Sequence, residues 1–381
     1  MLLASPASVS AQEDRGAESE KGGIGSRLSL SGSFRPVYTW IETRSREGGQ
    51  SRDHALNARL QLRAEYEIGW QVTFRTRLAG RASTNQEELR FELKDHTPPD
   101  GSYPPGTVTF DEFDLSWRVR PDLTVVAGRS QARFGLAGFI PKGMDRYYGS
   151  NLAIAHTDGV WIRWDVNPRW RLHLVGNHNG RLGSTHAARA PLAFGEPGAR
   201  VGGLVVLEQR EQEGLWVQRE VSVSVLPKSF ERDGTIRSYT AATTRLMMRL
   251  PWRCRLFEYW IGGEAGYVPV APTPASAGMA VEESRTLMGP SAVAWQVAAY
   301  ANGISDRHRI GVLYGQAEPQ WLVSNSFRPN NTLSEIRYRF TVSSQLNFET
   351  RYRIRTDLFR PEGAAYSRRD RDLYARFTWR L

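Results

Sequence analysis

From residue 56 to residue 68 the chain alternates without interruption. Leu56, Ala58, Leu60, Leu62, Ala64, Tyr66 and Ile68 hold one parity, and Asn57, Arg59, Gln61, Arg63, Glu65 and Glu67 hold the other. A period of two belongs to an extended strand with one apolar and one polar face. Trp70, Val72, Phe74, Thr76 and Leu78 repeat the pattern against Gln71, Thr73, Arg75 and Arg77. At the other end, Leu373, Ala375, Phe377, Trp379 and Leu381 oppose Asp372, Tyr374, Arg376, Thr378 and Arg380. Strands are predicted over 27–43, 56–68, 70–78, 113–119, 123–129, 160–166, 170–177, 201–210, 215–226, 237–250, 255–268, 291–301, 309–317, 333–342, 346–355 and 371–381. The count is about 16, within about 14 to 18.

The connections alternate in length. Short turns fall at Gly69, Pro121-Asp122, Asn167-Pro168, Gly214, Pro251-Trp252, Asn302-Gly303 and Ser343-Ser344. Long, polar connections separate the hairpins so formed. No stretch approaches the ~18 to 20 consecutive apolar residues of a membrane-spanning helix. The pattern predicts an all-β, transmembrane, antiparallel up-and-down β-barrel, with apolar faces toward lipid and polar faces toward an aqueous lumen. A soluble β-sandwich also alternates. It would need several apolar cores, and the chain has few continuous apolar runs. Trp70, Trp164, Trp252, Trp260 and Trp379 lie toward predicted strand ends, where an aromatic girdle is expected.

Residues 1–11 read as the remnant of a secretory signal, with Val9-Ser10-Ala11 as a small-residue cleavage site before Gln12. Residues 12–25 read as a flexible periplasmic tail, and 26–381 as the barrel. These segments imply the bacterial outer membrane. The single cysteine, Cys254, permits no internal disulfide.

Charge refines the picture. The chain has 50 Lys and Arg against 40 Asp and Glu, a formal net charge of +10. The parity above turns many arginines inward, and the expected pore-lining set is Arg59, Arg63, Arg75, Arg77, Arg118, Arg120, Arg337, Arg339, Arg351, Arg353 and Arg355. Guanidinium groups in a water-filled pore concentrate anions and repel cations, and they grip carboxylate or phosphate with two donors. The competing reading is that arginine alternates with carboxylates to keep a lumen wet and paired. The connection 131–157 is the candidate constriction, with Arg133, Lys142, Asp145 and Arg146 as its charged members. Its apolar residues Leu136, Phe139, Ile140 and Leu152 suit a loop folded against the barrel interior. They would equally suit a loop packed outside at a subunit contact.

Three segments carry a family resemblance. Gly128-Arg-Ser-Gln-Ala-Arg-Phe134-Gly135 resembles a strand-to-loop segment of bacterial porins in the phosphate-selective and related groups. His156-Thr-Asp158-Gly159-Val160 and its Trp-rich strand resemble the next strand of those porins, and the closing strand resembles the C-terminal signal of outer-membrane proteins. That signal usually ends in Phe, whereas this chain ends in Leu381. The resemblance implies passive diffusion of small hydrophilic or anionic solutes, outer-membrane lipid as the surroundings, and a homotrimer. A lysine-rich loop ladder of phosphate porins is missing from the candidate loop, where Lys142 stands alone.

Other classes fit less well. An enzyme barrel needs a nucleophile or carboxylate pair beside a histidine. His156 near Asp158 is the one tempting pair, and no G-x-S-x-G elbow accompanies it. An export conduit for an acidic polymer, alginate-export-like, or a barrel component of a larger envelope complex shares the basic lumen and stands as the alternative. No cofactor, metal site or nucleic-acid role is implied, because there is no Cys cluster or spaced His pair and a basic lumen accounts for the charge.

Overall fold

The computed structural model describes residues 27–84, 110–132, 134–138, 157–179, 200–209, 214–230, 236–253, 256–270, 291–303, 307–321, 330–361 and 363–381. Among them alternation has produced sixteen strands: β1 (Leu28–Arg44), β2 (Gln50–Gly69), β3 (Val72–Ser83), β4 (Phe110–Arg120), β5 (Leu123–Ser130), β6 (Thr157–Asp165), β7 (Trp170–Asn179), β8 (Arg200–Gln209), β9 (Trp216–Phe230), β10 (Ile236–Arg253), β11 (Phe257–Val268), β12 (Ala292–Gly303), β13 (His308–Ala317), β14 (Asn331–Thr341), β15 (Leu346–Asp357) and β16 (Arg369–Arg380). Each pairs antiparallel with the next. β16 returns to β1, so the sheet closes. Closure leaves no strand edge open. At the seam Phe34 lies opposite Trp379, and Leu381 N donates to Gly32 O at 2.9 Å. The β1–β16 pairing is interrupted at Arg35 and Pro36, with the register unchanged on either side; Pro36 has no N–H to give.

At the end of the barrel holding Leu28 and Leu381, the connections are 70–71, 121–122, 166–169, 210–215, 254–256, 304–307 and 342–345. The longer ones, including 84–109, 131–156, 180–199 and 269–291, fall at the opposite end. Two short connections, 45–49 and 231–235, also fall there. β2 begins six residues before the predicted Leu56. Its extension pairs Arg44 through Thr39 with Gln50 through Ala55. That polar stretch gives no alternation signal; the backbone ladder alone carries the hairpin on.

Arg46 fastens this hairpin to the end of β15. Its Nε donates to Asp357 Oδ2 at 2.7 Å and its Nη2 to Oδ1 at 3.1 Å. Hydrogen bonding to that carboxylate raises the Arg46 guanidinium above its ordinary value. Tyr366 N donates to Arg46 O at 2.9 Å, and the Arg44 guanidinium lies 3.8 Å from the Tyr366 ring centre.

The two faces sort as the parity requires. Leu30, Leu56, Leu62, Val205, Val221, Val297, Ile336, Phe377 and Trp379 are exposed on the outer face. Asn57, Gln61, Thr243, Gln296, Asn347 and Thr378 are buried on the inner one. Two readings of the tryptophans change. Trp70 does not begin β3. It forms a two-residue turn with Gln71, both at positive φ (55° and 62°), and is 95% exposed. Trp260 does not join an outer girdle; it faces inward and packs on the buried apolar cluster. Pro251 and Trp252, expected in a turn, end β10. The β10–β11 register shifts between Arg249 and Arg253, so the strand runs past the proline. Cys254 lies outside the described residues.

Candidate functional site

The lumen wall is divided. From β9 to β14 its inner face carries an apolar cluster that includes Tyr239, Met247, Val268, Ala292, Ala294, Ala298, Tyr300, Leu313 and Leu333. From β14 through β16, and again on β2 to β4, it is charged.

Two segments from the long-connection end cover the apolar part. After β5 the chain turns inward. Phe134 seats against Trp161 of β6 and His173 of β7, at centroid distances of 6.2 and 5.0 Å. Leu136, 2% exposed, joins the cluster. Ala137 N donates to Gln218 Oε1 at 2.6 Å, and Gln218 Nε2 donates to Gly135 O at 2.9 Å, which pins the segment to β9. Gly138 then reaches Tyr300 of β12 at a left-handed φ of 118°, and a Cβ there would lie 2.6 Å from the tyrosine ring. The second cover is Trp321, fully buried, whose indole lies over Gly266 of β11. Tyr239 Oη donates to Gln320 O at 3.2 Å beside it.

These covers fit because the wall beneath them is small. Gly262, Gly266, Ala292, Ala294, Ala298, Gly311, Gly315 and Ala317 hold the inward parity of β11 to β13. That run of glycine and alanine, where other strands place arginine, was the readable sign of a seat. Neither this run nor Trp321 nor Gln218 was among the residues expected from the sequence.

Opposite the covers the expected arginines form a lattice with carboxylates. Glu349, its side chain fully buried, lies 3.4 Å from Arg337 and accepts from Arg339 at 3.0 Å and Arg376 at 3.1 Å. Arg337 also lies 2.9 Å from Glu335. Asp372 accepts from Arg351 at 2.8 Å and Arg353 at 2.6 Å. Arg351 further packs on the Tyr374 ring, 4.5 Å from its centre. Arg355 sits on the same face of β15, opposite Asp370 in register. Arg337 and Arg351 stand directly opposite each other, as do Arg63 and Arg77. Like charges so placed repel, and the shared carboxylates offset that.

On β2 to β4, Arg77 lies 2.9 Å and Arg63 3.2 Å from Glu112, and Arg75 donates to Asp114 at 2.8 Å. Arg59, 2% exposed, stands in register with Arg35 and Arg81. Arg118 and Arg120 are exposed near the short-turn rim, where Arg120 pairs with Asp122 at 3.1 Å. The Arg133 side chain and Lys142, Asp145 and Arg146 lie outside the described residues. Within the apolar half, Arg245 is fully buried between Glu220 and Glu264. Among the described residues no three His, Cys, Asp or Glu side chains converge as for a metal ion.

No protein-family model and no curated protein matches the sequence. Solved structures match by fold. OprB of Pseudomonas putida aligns with a TM-score of 0.61 at 9% identity, covering 94% of this chain and 95% of that one. An anion-selective porin from Comamonas acidovorans gives 0.56 at 10% identity over 92% and 100%. OmpF of Salmonella typhi gives 0.55 at 11% over 93% and 97%. The chain shares the closed antiparallel barrel fold of these proteins.

Proposed function

We propose that this chain is a porin of a bacterial outer membrane, a water-filled channel through which small hydrophilic solutes diffuse, with a preference for anions. One observation carries the reading. Segment 134–138 and Trp321 cover the apolar wall, so the polar surface left to the lumen is dominated by the arginine lattice. Its outer face, apolar over the height of the strands, matches lipid, and its inner face matches water. Lattice arginines are paired, so selectivity comes from a modest excess of positive charge and from donors that can exchange a carboxylate for a passing anion. The likeness to an anion-selective porin agrees with this and extends only to the fold. Small anions as a class are the proposed cargo; specificity for phosphate is not part of the reading. The pore-lining role falls to Arg337, Arg339, Arg351, Arg353, Arg355, Arg59, Arg63, Arg75 and Arg77, with Arg118 and Arg120 at the mouth. A homotrimer in the membrane belongs to the same reading.

The test is conductance and reversal potential in a planar bilayer under a KCl gradient. The expected result is a stable conductance with chloride favoured over potassium. A barrel that inserts but stays silent would instead favour the export-conduit or complex-component alternative. A bulky polymer would have to pass the inserted segment, which counts against that alternative.

A further inference from the structure

We infer that Arg219, framed by Trp170 and Trp216 on the outer face of the short-turn rim, holds the phosphate of a membrane phospholipid headgroup. The inference rests on the outer-membrane location of the barrel and not on conduction. A bulge in β9 builds the centre of the site. Val217 drops out of the β9–β10 register, between Gln218 opposite Met247 and Trp216 opposite Met248. The extra residue lets Trp216 and Arg219 share the outward face, while Val217 joins the buried apolar cluster. Arg219 stands opposite exposed Leu246, and Trp216 opposite exposed Met248. Trp170 opens β7 on the same face, in register with Gln209 at the end of β8. The Arg219 guanidinium lies 5.6 Å from the centre of each indole.

This arginine is answered differently from those of the lumen. Its Nε donates to Gln209 Oε1, a neutral acceptor. Among the described residues no carboxylate pairs with it, and its Nη groups make no further hydrogen bond. Glu208 and Glu220, the chain neighbours of Gln209 and Arg219, face the other way. Glu208 lies 2.8 Å from His173 and 3.8 Å from Arg171, and Glu220 meets Arg245. Asp122, on the same rim, is engaged by Arg120 at 3.1 Å and Trp164 at 3.3 Å. Strand ends lie at the depth of lipid headgroups, where a cation on the lipid face is tolerated and tryptophan is favoured. With Nε held by Gln209, the two Nη groups present an edge that matches two phosphate oxygens. A phospholipid supplies that anion at that depth, and its acyl chains have exposed Leu246 and Val221 to lie along.

The experiment is native mass spectrometry of the full chain, released from a neutral detergent in the presence of one of two lipids. One is dioleoyl phosphatidylglycerol; the other is a dioleoyl galactosylglycerol, which lacks the phosphate. The native protein should retain the phosphate lipid about fivefold more strongly. Arg219→Gln should bring the two lipids level, and Trp170→Leu should remove part of the preference. Arg353→Gln, which deletes a lumen charge, should leave the preference unchanged. In the native protein the preference should also fall as ammonium acetate rises from about 0.05 to about 0.5 M, a readout that needs no variant. Equal retention of both lipids by the native protein, or an undiminished preference in Arg219→Gln, would overturn the inference. So would an equal loss in Arg353→Gln, since net charge and not this site would then set retention. A changed subunit number in Arg219→Gln with the lipid preference unmoved would give this face to a second copy of the chain instead. A barrel that is silent in bilayers but keeps the preference removes the channel reading and leaves the lipid site standing.

Discussion

Glu349 of β15 holds three arginines, two from β14 and one from β16, within 3.4 Å, yet its side chain touches no solvent. Removing its charge leaves Arg337, Arg339 and Arg376 facing one another across the ladder. Breaking a buried pair by deleting one partner costs roughly 3 to 5 kcal/mol, less where water can enter. Glu349→Gln should therefore lower the unfolding midpoint in urea, measured from the tryptophan signal, and raise chloride preference at the same time. A variant that lost stability without gaining selectivity would place Glu349 off the ion path. The opposite change, Arg353→Gln, removes a donor to Asp372 and should lower chloride preference with little effect on stability, because Arg351 still holds that carboxylate at 2.8 Å.

At the scale of elements the inserted segment matters most. Its backbone groups at Gly135 and Ala137 are both satisfied by one side chain, Gln218. Gln218→Ala orphans a buried donor and an acceptor, at roughly 1 to 3 kcal/mol each where water cannot replace the amide. The expected result is a noisier channel and faster protease cleavage within 131–156. Unchanged noise and cleavage would mean that the apolar contacts of Phe134 and Leu136 hold the segment without it. β11 supplies a companion test. A Cβ at Gly266 would lie 2.3 Å from the Trp321 ring, so Gly266→Val should expel Trp321 from the wall. The lumen then gains an apolar-lined path, and single-channel conductance should rise while anion preference falls.

For the whole molecule the question is how an excess of positive charge acts through water. The formal charge is +10, yet lumen arginines are largely ion-paired, so the field is set by their small surplus and not by their number. Such a field is screened within about 8 Å at physiological salt and about 3 Å at 1 M. Chloride preference measured from reversal potentials should fall steadily as the KCl on both sides rises from about 0.1 to about 1 M. A preference independent of salt would point to direct coordination at a narrow site, not to the mean field of the wall.

How much of this was written in the chain can be judged from particular residues. Leu373, Phe377 and Trp379 against Asp372, Arg376 and Thr378 fixed face, strand and closing role at once, because a period of two has only one solution when one side is apolar and the other wet. The strand count and the gathering of short turns at one end followed from the same local rule. Arginine positions on β2, β3, β14 and β15 were legible by parity alone. Their partners were not. Glu349 meets Arg376 27 positions away, and Arg63 meets Glu112 49 positions away, because the sheet register brings them together. Trp260 could not be assigned a face from its nearness to a strand end; the register of β11 turned it inward. The seat of the inserted segment depends on strands as distant as β6, β7, β9 and β12. Alternation is a property of neighbours in the chain and is read directly. Which walls face each other, which charges share a carboxylate and which glycine makes room for a tryptophan are properties of closure, and they exist only once the sheet has met itself.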